Sequence, residues 1–487
     1  MLSRRFKDIE HFRETEKLGY SLLPVRFTQL DESRYVVSNM VGEYLVLPRA
    51  QIEDLVEHRI SAGTDFYDDL KSKHFIFDQD SQAAHELLGL KYRTKLTQAS
   101  NFTGLHIFVV SLRCDYSCPY CQVSRQTDDK TAFDMSRDTA DRSLDMVFLS
   151  PNQAIKIEFQ GGEPLLNFEL IKYIVERAER LNKEYRRDLR FVIATNLSYM
   201  TDEVIDYCLV HDIHISTSLD GPAHLHNKNR PRPGKNGHQL VVDSIRRVQR
   251  RLGRERISAL MTTTLESLSM PRAIIDEYVG LGLNEIFLRP LSPYGFAVRT
   301  GQIDRYDTDK WLDFFKEGLA YILELNRGGY PFREIYSTII LRKMLTPQEA
   351  GYVDLQSPAG IAISAIVFNY DGAVYASDES RMLAEMGVSK FRLGNVHTDS
   401  YETMLSNDDL MDAIESSITI SAPLCTDCAF LPYCGSDPVY HFATQRDVIG
   451  NKAMSGFCRK NMGVFRHLIS LMEDDPAARS ILRGWAF

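Results

Sequence analysis

Eight cysteines sit at positions 114, 118, 121, 208, 425, 428, 434 and 458 of a 487-residue chain, and seven of them fall into two groups. In the first group, Cys114, Cys118 and Cys121 lie in the run Leu-Arg-Cys-Asp-Tyr-Ser-Cys-Pro-Tyr-Cys. Thiolates at this spacing can wrap one corner of a [4Fe–4S] cube and leave its fourth iron without a protein ligand. Such an iron is open to a small molecule and to one-electron chemistry. A zinc knuckle or buried free thiols are the plainer alternatives. The second group, Cys425, Cys428, Cys434 and Cys458, supplies enough thiolates to saturate another cube, and would equally satisfy tetrahedral zinc. Cys208, alone in Val-Ile-Asp-Tyr-Cys-Leu-Val, reads as a packing residue on a helix face.

Runs at 105–112, 155–159, 190–194, 213–219, 257–263 and 285–291 are short, apolar and rich in β-branched residues. That pattern suits parallel strands buried on both faces. Between them lie helical stripes, such as Ile171, Ile174, Val175, Ala178 and Leu181. The expected class is α/β: six βα units with right-handed crossovers, forming a partial (β/α)6 barrel of the TIM type. In such barrels chemistry collects at the C-terminal ends of the strands. Cys114 falls just past the first strand. Gln160, Gly161, Gly162, Glu163 and Pro164 end the second, Asn196 the third, and Ser218 and Asp220 the fourth. Arg289, ending the sixth, and Tyr294 are weaker candidates. His106, His211, His214 and His224 show no metal-binding spacing and read as structural.

Residues 1–100 read as a small β-hairpin-plus-helix module of winged-helix type, with a hairpin turning at 39–42. Residues 101–300 hold the barrel, 301–350 a helical connection, and 351–487 a cysteine-rich region that opens with a hairpin at Tyr370-Asp371-Gly372. The net charge of −9 and pI near 5.9 argue against a nucleic-acid or anionic-membrane surface. No run approaches the roughly 18–20 apolar residues a membrane helix needs. The start, Met-Leu-Ser-Arg-Arg-Phe-Lys-Asp, lacks the apolar run of a secretory signal. Two metal centres in a reducing cytoplasm explain the cysteines better than disulfides do.

Taken together, these motifs resemble a radical S-adenosylmethionine (SAM) enzyme with a C-terminal SPASM-type extension, over roughly residues 105–470. The resemblance assigns Cys114, Cys118 and Cys121 to a SAM-binding [4Fe–4S] cluster and places Tyr120 beside the adenine. It gives Gly161, Gly162 and Glu163 to the methionine ammonium, and Arg230 to the methionine carboxylate. Asn196, Ser218 and Asp220 fall around the ribose. Cys425, Cys428, Cys434 and Cys458 match the outer auxiliary cluster. The inner one has lost its ligands to Ser357-Pro358-Ala359-Gly360, Tyr375-Ala376-Ser377-Asp378 and Pro438, so one auxiliary [4Fe–4S] cluster is expected. Asp378 sits where sulfatase-maturating relatives place a general base, and Gln160 faces the same rim.

The segment from Leu22 to Pro48 resembles the B-type maturase of the His-Xaa-Ser repeat peptide system, and its hairpin a leader-binding element. What this implies is a cytoplasmic maturase that oxidises or cross-links a side chain of a ribosomally made precursor peptide, gripped by the first module. Its partners would be that peptide, an external electron donor such as flavodoxin or ferredoxin, and a second maturase. Formylglycine formation on a sulfatase is the enzymatic alternative; a non-catalytic Fe–S redox sensor is the alternative of another class.

Overall fold

A computed structural model describes residues 19–78, 83–100, 102–348 and 350–487. Residues 1–18 of the expected first module therefore lie outside the described residues. Five of the six expected barrel strands form, Leu105–Ser111, Ala154–Gly161, Asp188–Thr195, His214–Ser218 and Ile257–Leu260, hydrogen-bonded in that order and all parallel. The first strand is buried on both faces, whereas the other four alternate buried with partly accessible residues; Phe108, Phe159, Ile193 and Ile215, in register on one face, are wholly inaccessible. The crossover helix Phe168–Tyr185 lays Leu170, Ile171, Ile174, Val175 and Ala178 onto the sheet, as its stripe requires. Its first turn follows Pro164, which presets the backbone for helical entry.

The sixth strand does not join this sheet. Only Glu285–Ile286 is extended, and it pairs with Arg333–Glu334 in a separate two-stranded ribbon. One backbone bond from beyond the fifth strand remains, the Thr263 N–H to the Arg289 carbonyl at 3.0 Å, and side chains take other backbone groups of the segment. The Leu288 N–H donates to the Glu334 carboxylate at 3.2 Å, and the Trp311 indole donates to the Leu288 carbonyl at 3.2 Å. Pro290 and Pro293 lack donors of their own. The chain here lines the barrel edge as a loop.

On its other edge, Leu105–Ser111 pairs in parallel with Ala365–Phe368, which turns through Gly372 (φ +83°) into Ala373–Tyr375 and then Arg392–Asn395. The eight-stranded sheet thus runs across the boundary expected at 351. Buried His106, beneath Phe368, hydrogen-bonds the Thr103 carbonyl, and burial holds its ring down at about 4.

In the N-terminal region Val25–Gln29, Arg34–Asn39 and Tyr44–Pro48 form an antiparallel sheet, with the helices Arg49–Val56 and Asp65–Ser72 packed against it. Alternation along the middle strand divides its side chains. Val37 joins a local core with Leu47, Leu55 and Phe75, while Val36 joins the main core of the molecule. This sheet docks on the second cysteine group. Arg26 donates to the Thr426 carbonyl and Ser38 to the Ala429 carbonyl, both at 2.6 Å. The Tyr433 hydroxyl reaches the Gly42 carbonyl at 2.7 Å. Among the described residues no helix is long and apolar enough to cross a membrane.

Candidate functional site

The first cysteine loop is held by a backbone clasp. The Gly162 N–H donates to the Ser111 carbonyl at 2.8 Å and the Glu163 N–H to the Arg113 carbonyl at 2.7 Å. Neither glycine could carry a side chain. A Cβ on Gly161 would lie 1.9 Å from the Ser111 oxygen, and one on Gly162 2.4 Å from the Arg113 oxygen. The Gly-Gly pair is therefore what lets the second strand press against the start of the loop. Arg113, missed in the sequence, fixes that start from below. It is 2% exposed, grips Asp134 with two nitrogens at 2.8 Å each, and reaches Asp128 and the Leu166 carbonyl at 3.0 Å.

Within the loop the Tyr116 N–H lies 3.4 Å from the Cys114 sulfur, and the Cys121 N–H donates to the Cys118 carbonyl at 3.1 Å. Phe296 and Ser117 tie the loop's far side, their N–H groups donating to the Cys121 and Pro231 carbonyls at 2.8 Å. Asn196 bridges to Asp115 at 2.9 Å and its amide lies 3.9 Å from the Cys114 sulfur. Ser218 ends the fourth strand on the same rim.

Glu163 is wholly buried and receives three hydrogen bonds: from the Leu165 N–H at 3.0 Å, the Thr195 hydroxyl at 2.7 Å and the Asn196 N–H at 2.7 Å. A carboxylate accepts about four, which leaves room for one more donor. Burial pushes this carboxyl up to about 7 despite those donors. Tyr120, Asp220 and Arg230 form a second buried unit. The Tyr120 hydroxyl donates to Asp220 Oδ2 at 2.5 Å, Arg230 Nε donates to the same oxygen at 3.1 Å, and the guanidinium lies over the Tyr120 ring. Asp220 is inaccessible; it orients Tyr120 and Arg230 rather than facing a ligand itself.

Below this rim, Gln160 donates to Glu158 at 2.7 Å, both on one face of the second strand. Asp378 opens the helix Asp378–Ala384 and its carboxylate lies 3.4 Å from the buried Arg381. The next residue, Glu379, is the one that lines a cavity. Neighbouring Asp354 and Asp437 come from distant parts of the chain. No local signal in the sequence marks these three carboxylates as companions.

The second group of thiols lines one cavity of about 580 Å³, with Thr28 from the N-terminal sheet on its wall. Cys434 adjoins Cys425, Cys428 and Cys458, and Asn461 Nδ2 lies 3.7 Å from its sulfur. Among the described residues no three His, Cys, Asp or Glu side chains converge closely enough to hold a single metal ion.

Residues 108–277 match the model of the Radical SAM superfamily. A radical SAM cyclopropyl synthase, TigE of Paramaledivibacter caminithermalis, is 23% identical over 40% of the chain. An uncharacterised protein of Methanocaldococcus jannaschii is 34% identical over 29% of the chain. The matched stretches span 42% and 46% of these two relatives, less than half of either. Among solved structures, anSMEcpe with bound AdoMet shares the fold at a TM-score of 0.63 and 16% identity, covering 78% of this chain and 97% of its own. Streptococcus suis SuiB bound to precursor peptide SuiA does so at 0.52 and 14%, covering 88% and 98%.

Proposed function

Starting from a chain whose residues 108–277 are a radical SAM domain, we propose that this protein is a maturase of a ribosomally made precursor peptide. The observation that carries the reading is the rim itself. A glycine clasp fixes the cysteine loop at the C-terminal ends of the first two strands, and polar groups gather nearby: Glu158, which accepts from Gln160 at 2.7 Å and neighbours Arg289. Cys114, Cys118 and Cys121 would hold a [4Fe–4S] cluster, and Glu163, Asn196, Ser218 and Arg230 would receive S-adenosylmethionine. Bound there, the pair supplies a one-electron cleavage whose radical product takes hydrogen from an unactivated carbon.

The chain's own residues do the rest. Glu163 holds a carboxylate where an ammonium can complete its hydrogen bonds. Asp220 keeps Tyr120 and Arg230 oriented. Leu291, Tyr116 and Tyr120 wall the loop in apolar surface, which excludes water from a reactive species. Cys425, Cys428, Cys434 and Cys458 would hold one auxiliary cluster, suited to electron relay. The N-terminal sheet exposes the edge strand Val25–Gln29, with Phe27 52% accessible, and an extended leader can add to such an edge. Similarity to SuiB bound to its precursor peptide supports a peptide substrate; the likeness of residues 22–48 to B-type maturases supports an oxidised or cross-linked product.

The formylglycine alternative is weaker, because its candidate base Asp378 is turned to Arg381. A redox sensor would not need the buried Glu163 and Arg230 arrangement. The test is co-expression with precursor peptides encoded nearby, followed by mass spectrometry. Loss of a hydrogen pair from the core peptide is the expected result; an unmodified peptide from protein that cleaves S-adenosylmethionine would overturn the peptide assignment.

A further inference from the structure

Between the two cysteine groups lies a cavity of about 220 Å³, many times the roughly 10–15 Å³ that one water needs. One wall, Leu291, also packs against the first cysteine loop, and another, Phe457, adjoins the second group. Charged side chains meet here from five separated segments: Arg289, Asp354, Glu379, Asp437 and Lys460. Three carboxylates thus face two cations. Among the described residues neither cation forms a direct ion pair with them, although Arg289 neighbours Asp354 and Glu379 and Lys460 neighbours Asp354 and Asp437.

One buried polar group on this wall lacks a partner, and the partly accessible Glu379 beside it has no protein donor among the described residues. The Tyr294 hydroxyl, on a residue 1% exposed, has no hydrogen-bond partner and faces Asp354, Glu379 and Asp437. No donor among the described residues reaches the Glu379 carboxylate, whereas Asp437 is partly satisfied by the Val439 and Tyr440 N–H groups. A buried polar group left unpaired is costly, and a carboxylate can only accept. What would complete this wall is a donor-rich, positively charged guest.

We propose that the cavity is a substrate subsite for the basic side chain of a lysine, arginine or histidine, with Glu379 and Tyr294 as its hydrogen-bond acceptors. The proposal rests on the peptide reading above and names the class of residue presented to the barrel. Burial and the neighbouring carboxylates raise the Glu379 carboxyl above its ordinary range, against the pull of Arg289, and a further cation bound beside it would draw it back down.

The test uses the reconstituted full-length protein under anaerobic conditions. Fluorescent Gly-Ser peptides carrying a single central lysine, arginine, histidine, glutamine or glutamate are titrated by anisotropy. The basic peptides should bind about tenfold or more tightly than the glutamine and glutamate peptides. Glu379→Gln should bring all five to similar affinity. Should that variant fail to fold, Tyr294→Phe should still weaken the basic peptides selectively. Equal affinity for lysine and glutamine peptides, no binding by any of them, or a preference that survives both substitutions would overturn the proposal. Cleavage of S-adenosylmethionine by the same wild-type preparation reports separately on the radical reading. A basic preference without cleavage leaves the subsite standing and removes the enzyme; cleavage without preference does the reverse.

Discussion

A methyl group on Gly162 would meet two backbone carbonyls, the Arg113 oxygen at 2.4 Å and the Leu112 oxygen at 2.6 Å, and backbone has little freedom to retreat. Gly162→Ala should therefore displace the loop that carries Cys114 while leaving the second thiol group alone. Reconstituted variant should retain roughly half the iron of the parent, all of it in a cluster indifferent to S-adenosylmethionine; full iron content would contradict the clasp. Glu163 supplies a pH prediction. With its carboxyl pushed up to about 7 by burial, it is largely protonated below neutrality in the ligand-free protein. An ammonium must displace that proton, so affinity for S-adenosylmethionine should rise with pH through about 7 and then level. In the free protein the same raised value favours folding at low pH, and that contribution is lost as the pH climbs through about 7. Glu163→Gln should flatten both profiles, read by equilibrium binding and thermal unfolding across the range. The Gly-Gly-Glu run and the thiol spacing were legible because adjacent residues carry them. Arg113 and Glu379 were not, since each acts through partners distant in sequence; Asp378, the candidate base, lies 3.4 Å from Arg381 and also neighbours Glu158 and Arg289.

Elements explain where sequence reading succeeded and where it stopped. The hairpin at 39–42 and the helix Phe168–Tyr185 follow from turn chemistry and a single apolar stripe, both local signals. The segment 287–291 has the apolar composition of a strand, but its Leu288 N–H donates to Glu334 and its Leu288 carbonyl accepts from the Trp311 indole, a tertiary outcome no local pattern encodes. The docking of the N-terminal sheet is of the same kind. The Thr28 hydroxyl accepts from the Ala429 N–H at 3.0 Å and the Ser38 hydroxyl donates to the Ala429 carbonyl. Thr28→Val and Ser38→Ala should each cost about 1 kcal/mol of docking. The check is chemical denaturation, together with faster loss of iron from the second cluster under chelator. Unchanged iron release would mean that the sheet does not support that site.

At the scale of the molecule, one face of the N-terminal sheet, the second thiol site and the barrel share one hydrophobic core that runs from Leu30 to Ala486, while the first cysteine loop packs in a small cluster of its own. Deleting residues 1–100 should therefore strip the cover from the Cys425, Cys428, Cys434 and Cys458 cavity as well as any leader grip. The deletion is expected to lower the iron content, and a truncated protein that keeps both clusters would show that the sheet serves recognition alone. The order of the pieces also suits one-electron traffic: second thiol group, charged cavity, first cysteine loop, joined through Phe457 and Leu291. All of it depends on an iron at Cys114, Cys118 and Cys121 that keeps one position for S-adenosylmethionine. Electron paramagnetic resonance of the reduced, anaerobically reconstituted protein, recorded before and after adding S-adenosylmethionine, tests this directly. The account predicts a [4Fe–4S] signal that shifts on addition, with 5′-deoxyadenosine appearing in the same tube, and in Cys121→Ala neither the shift nor the product, only the unchanging signal of the second cluster. A spectrum that ignores S-adenosylmethionine, or zinc bound in place of iron, would contradict it.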